Sequence, residues 1–102
     1  MNIGQFLQQG DVLIEKVSEI KGKKLNHLVL AEGETSGHMH AIKEGNADLY
    51  EENGVMYLKV MDDEIIVKHE EHKPVIIPKG DYIVRKVKEY DYFIEEARNV
   101  AD

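Results

Sequence analysis

His38 and His40 stand one residue apart behind a loop with two glycines, Gly33-Glu34-Thr35-Ser36-Gly37, and His69 and His72 follow about thirty residues later. Four of the five histidines therefore fall in two clusters. Imidazole is the commonest side chain for borderline transition metals, and it also serves as a general acid or base near neutral pH. The chain contains no cysteine, so a metal here would need nitrogen and carboxylate ligands. The nearby carboxylates are Glu34, Glu44, Glu70 and Glu71. Any of them could ligate, orient a ligand or act as a base, and Glu44 and Glu71 are the candidate catalytic pair. The bland alternative is that these histidines are ordinary polar residues at strand ends and in loops. His27 stands alone in an apolar run and is read that way.

Two clusters make one site only if the chain positions them together. His38 to Lys43 has strand character, and residues i and i+2 of a strand share a face, so His38 and His40 would project together. His69 and His72 differ in parity, so a straight strand would point them apart. A bulge or helical turn at Glu70-Glu71 is needed to reunite them.

The remaining chain is rich in short β segments. Residues 1–10 read as a short helical turn or an extended arm. Runs at Val12–Val17, Leu25–Ala31, Ala47–Glu51, Val55–Val60, Ile65–His69, Val75–Ile77 and Tyr82–Tyr90 read as strands. Asn53-Gly54 is a hairpin signal. Lys21–Lys24, Lys43–Asn46, Met61–Glu64 and Pro78–Asp81 read as turns. Phe93, Ala97 and Val100 lie at helical spacing and predict a short C-terminal helix. Seven or eight short strands at intervals of roughly 8–12 residues predict an all-β chain, a small antiparallel barrel or sandwich, in a single domain over residues 1–102.

Composition narrows the function. A net charge of −7 argues against binding to a nucleic-acid backbone. The Lys21, Lys23, Lys24 group and the Lys79, Arg85, Lys86, Lys88 group read as solvated surfaces. No apolar run approaches the roughly 20 residues of a membrane span, and the N-terminus lacks signal-peptide character, which predicts a cytoplasmic protein with no membrane contact. Thiol catalysis is excluded. Neither Ser18 nor Ser36 lies in a Gly-x-Ser-x-Gly elbow, and no glycine-rich phosphate loop precedes a helix.

Gly33, His38-Met39-His40 and Glu44 resemble the first motif of the cupin superfamily, and Pro78-Lys79-Gly80 resembles the Pro-x-Gly of the second. The histidine of that second motif is replaced here by Asp81, Tyr82 and Ile83. This resemblance implies a double-stranded β-helix with His38, His40 and Glu44 as metal ligands. The chain also resembles a group of small uncharacterised bacterial and phage proteins in Gln9-Gly10-Asp11-Val12, Gly37-His38-Met39-His40, His69-Glu70-Glu71-His72 and Glu89-Tyr90-Asp91 onward. That resemblance implies that the two histidine clusters travel together.

The leading expectation is a β-barrel that binds a divalent transition metal (Zn, Fe, Mn or Ni) through His38, His40, His69 and His72. Such a site would support hydrolytic or oxygen chemistry on a small-molecule ligand. A second expectation is a non-enzymatic module, phage-encoded or bacterial, that binds a protein or forms a homo-oligomer through a sheet edge. A third is metal-independent acid–base cleavage of a phosphodiester, with Lys79 or Arg85 holding the phosphate.

Overall fold

The computed structural model describes residues 6–32 and 37–86. Within them the chain is all-β, with eight strands and entirely antiparallel pairing. The strands are β1 (Phe6–Gln9), β2 (Val12–Lys16), β3 (Lys23–Lys24), β4 (Val29–Glu32), β5 (Met39–Glu44), β6 (Ala47–Glu52), β7 (Val55–Lys68) and β8 (Val75–Lys86). The predicted C-terminal helix, the end of the last predicted strand after Lys86, and Gly33–Ser36 lie outside the described residues. No helix among the described residues is long and apolar enough to cross a membrane.

The architecture is organised by the β7–β8 hairpin. Its open end carries β6 and then β3 on the β7 side, and β2 and then β1 on the β8 side. Nearer the β7–β8 loop, β7 pairs instead with β5, which pairs with β4. One long ribbon thus serves two groups of strands, as a small sandwich or barrel requires.

The change of partner happens at a bend. Val60 pairs with Gly80 and Glu64 with Pro78, so Met61, Asp62 and Asp63 oppose Lys79 alone. On β7 the buried positions switch from Leu58 and Val60 to Ile65 and Val67, and on β8 from Tyr82 and Val84 to Ile77. Segments 61–64 and 78–81, expected as turns, are therefore one bulged corner inside two continuous strands. Their polar, Pro- and Gly-containing composition is that of a bulge as much as of a turn. Asn46 fastens the corner: its backbone N–H and side-chain amide donate to the Asp62 carboxylate at 2.9 and 3.2 Å, and its carbonyl accepts from Met61 N–H at 3.0 Å. On β8 the Tyr82 hydroxyl donates to Pro78 O at 2.6 Å, across the same kink.

Other departures are local. Leu25–Leu28 does not join β4, and His27 Nδ1 accepts from Val29 N–H at 3.2 Å. Part of the Lys21–Lys24 turn continues into β3, paired with β6. Residues 6–9 form a strand rather than a helical turn, reversing through Gly10 (φ +57°) into β2. Asn53 (φ +51°) and Gly54 (φ +78°) make the expected hairpin turn between β6 and β7.

The core comprises Val12, Ile14, Leu30, Ile42, Leu49, Leu58, Val60, Ile65, Val67, Ile77, Tyr82 and Val84 with Ala47. Each fully buried aliphatic side chain contributes roughly 1.5–3 kcal/mol relative to exposure. Only two polar residues are fully buried with this core, Gln9 and His40, among the described residues.

Candidate metal centre

The two histidine clusters meet at one end of the fold. The β5–β7 register pairs Ala41 with Lys68, and continuing it by one residue sets His40 opposite His69. Directly opposed residues of antiparallel strands bring their Cβ atoms to about 5 Å. The His40 and His69 ring centroids are 4.3 Å apart, and His38, two residues back along the chain, lies edge-on to His69 at 5.7 Å.

His72 reaches the same place because the chain bends after β7. The bend is closed by Glu71 N–H donating to His69 Nδ1 at 3.0 Å. It brings the His72 ring to 4.6 Å from His69 and stacks it 5.9 Å from His40. On its other side His72 packs against Gly10, where any Cβ would collide with the ring. All four clustered histidines therefore lie side by side.

The carboxylates are distributed unequally. Glu70 Oε2 accepts from Met39 N–H at 3.0 Å, which ties the bend to the start of β5. That contact, followed by Glu70's own backbone N–H, holds its carboxyl below the usual range. Glu71 Oε1 lies 3.4 Å from His38 Nδ1. This nitrogen is shut off from water and makes no hydrogen bond, so the approach to Glu71 is a proximity rather than a bond. Glu44 is not brought to the cluster. It sits at the other end of β5 with an exposed side chain, 3.9 Å from Lys68 Nζ. Four residues at about 3.3 Å each separate it from His40. Glu34 falls outside the described residues.

His38, His69 and Glu70 each offer one donor atom, and the three atoms lie within 4.8 Å of one another. That is a spacing from which one ion can be held. Because His69 Nδ1 accepts from Glu71, a neutral His69 carries its proton on Nε2. A metal at Nδ1 replaces the amide contact, and one at Nε2 displaces the ring proton.

Sequence reasoning missed Gln9 and Asp11 as members of this site. The Gln9 amide nitrogen donates to Val67 O and to Lys73 O, both at 2.9 Å, and so staples together the two ends of the loop that carries His69 and His72. Its Oε1 faces His40 Nδ1 at 2.9 Å, while Asp11 Oδ1 lies 3.2 Å from His40 Nε2. Burial, followed by the neighbouring His69, pushes the His40 pKa below its usual value, against the opposing pull of Asp11. The stretch Gln9-Gly10-Asp11-Val12 carried a family resemblance in the sequence, but nothing in its residue types connected it to histidines thirty positions away.

Fold and site together define a small all-β domain with a partly buried imidazole cluster at one end. Residues 8–87 match the family described as Domain of unknown function (DUF8820), and the chain belongs to that family. Comparison with curated proteins and with solved structures finds no match.

Proposed function

We propose that this protein binds a divalent transition-metal ion (Zn, Fe, Mn or Ni) at the imidazole cluster, with His38, His69 and Glu70 as the first donors and His40 and His72 beside them. The observation that carries this reading is the His38–His69–Glu70 donor group, with the buried His38 Nδ1 left without a hydrogen-bond partner. Buried polar atoms are nearly always satisfied, and an orphaned imidazole nitrogen beside two further donors offers a lone pair to a cation when the ring proton sits on the other nitrogen. Two nitrogens and one oxygen form the kind of donor set that leaves a tetrahedral ion one open position, for water or a small ligand. A metal in such a site supplies Lewis acidity and lowers the pKa of bound water, which suits hydrolytic or oxygen chemistry. Glu71, next to His38, is the candidate base. Glu44 has no role in this reading.

Metal analysis of protein purified without a polyhistidine tag tests the proposal, together with melting curves in added Zn²⁺, Ni²⁺, Mn²⁺ or anaerobic Fe²⁺. A bound ion, or a melting temperature raised by at least one of these ions and not by Mg²⁺, supports it. Protein that carries no metal and melts unchanged in all four overturns it. Glu70→Gln separates ligation from architecture. The amide oxygen still accepts from Met39 N–H, so the metal-free fold should melt close to wild type while metal affinity falls.

A further inference from the structure

The hydrogen bonds around His40 determine which of its nitrogens carries a proton. Gln9 has two amide hydrogens, and both are spent on backbone carbonyls, those of Val67 and Lys73. Its amide cannot turn over without placing Oε1 against two carbonyl oxygens. Oε1 therefore faces His40, and as an acceptor it requires a proton on Nδ1, 2.9 Å away. A neutral His40 then carries no proton on Nε2. That nitrogen points a lone pair at Asp11 Oδ1, an oxygen that also only accepts, at 3.2 Å. Two acceptors at this distance repel unless something positive lies with them. His40 is 1% exposed, so water does not relieve the mismatch on the imidazole side, whereas the Asp11 side chain is 26% exposed and leaves the pair open to an entering ion.

We propose that His40 Nε2 and Asp11 Oδ1 are a cation-binding pair, wired by Gln9, beside the His38–His69–Glu70 donor group. The pattern is that of a ligating histidine whose other ring N–H is held by an oxygen acceptor, fixing ring and tautomer. Gln9 is a positioning residue. Its amide orients His40 and at the same time fastens the loop that bears His69 and His72. The cation is a divalent transition metal, since a nitrogen and a carboxylate oxygen form a borderline donor pair. This inference rests on the reading that the cluster takes such a metal, but it assigns residues outside the His38–His69–Glu70 group.

The alternative is an imidazolium–carboxylate ion pair with no metal role, and Asp11→Asn tells the two apart. In the metal-free protein the asparagine amide can donate to the Nε2 lone pair, relieving the clash between acceptors. The variant should therefore melt at or above the wild-type temperature in EDTA. Its Zn²⁺ affinity, titrated calorimetrically, should fall about tenfold or more. Long-range ¹⁵N–¹H correlation spectra of the metal-free wild type should show His40 protonated on Nδ1 alone, with the Nε2 resonance moving on addition of Zn²⁺. Gln9→Leu should lose that single tautomer; because it also cuts the loop staple, Asp11→Asn carries the test. An imidazolium at His40 in the metal-free protein at pH 7.5, a destabilised Asp11→Asn variant, or one with unchanged Zn²⁺ affinity would each overturn the inference. If Asp11→Asn binds Zn²⁺ normally while His38→Ala and His69→Ala do not, the metal centre stands without Asp11. If the wild type binds none of the four metals, the metal reading fails and this inference with it.

Discussion

At the scale of single residues, His40 is, with Gln9, one of the two buried polar side chains among the described residues. Burial and the adjacent His69 disfavour its charged form, so its folded pKa lies below the 6.5 of the exposed residue. The consequence for stability has a definite sign. Between 6.5 and the lower folded value, the unfolded chain takes up a proton that the folded protein refuses, so His40 makes the fold less stable as pH falls through that window. The slope from one such group is at most about 1.4 kcal/mol per pH unit. Urea denaturation of metal-free protein at pH 7.5 and at 5.5 should show wild type losing more stability than His40→Gln, which has no proton to refuse. Equal losses would mean that His40 is readily protonated in place. The sequence announced this residue by type and spacing, since HxH on a strand is visible to inspection. It could not announce the burial, because burial depends on Gln9 arriving from β1. Gln9 and Asp11 were illegible for the same reason: a glutamine and an aspartate around a turn glycine have no pattern of their own until the fold places them.

At the scale of elements, the strands were legible and the corner was not. Alternating apolar residues and Asn53-Gly54 specify β6, the start of β7 and the turn between them. Met61-Asp62-Asp63-Glu64 and Pro78-Lys79-Gly80-Asp81 share the composition of turns, and only their mutual pairing makes them a bulge. The corner is tied to the β5–β6 turn, where Gly45 has φ +92° and a Cβ would stand 2.7 Å from Ile65 Cγ2 and 2.9 Å from Glu64 O. At Gly54 φ is +78° but a Cβ would meet nothing within 4 Å. The two glycines therefore separate conformational strain from collision. Gly54→Ala carries the strain of the left-handed backbone alone and should cost about 1 kcal/mol. Gly45→Ala adds contact with a backbone oxygen that cannot swing aside, and should cost clearly more. Denaturant midpoints at unchanged slope give both numbers. Similar costs would show that the corner yields, and that the Gly45–Ile65 approach is not what sets the bend.

At the scale of the whole molecule, the candidate centre lies where three distant parts of the chain meet: the β1–β2 turn, the start of β5 and the loop between β7 and β8. In the unfolded chain these donors are spread over more than sixty residues, from Asp11 to His72. An ion that needs donors from more than one of these parts binds the folded state almost alone. Its binding energy then adds to folding stability as RT ln(1 + [L]/Kd), about 2.7 kcal/mol at a hundredfold excess over Kd. For a domain of this size each kcal/mol moves the melting temperature by roughly 4–8 °C, so saturation at that level should raise it by about 10–20 °C. The rise should continue with the logarithm of metal concentration rather than reach a plateau at one equivalent. Hydrogen exchange locates the effect. Protection should increase at Met39, at Glu71 and along 9–12, and not at the Asn53-Gly54 turn at the other end of the β6–β7 hairpin. His38→Ala with His69→Ala should abolish both the shift and the added protection while leaving the metal-free melting point within a few degrees of wild type. A thermal shift that survives the double substitution would place the ion outside the His38–His69–Glu70 group, and protection that rises evenly over the whole sheet would place it away from this end of the fold.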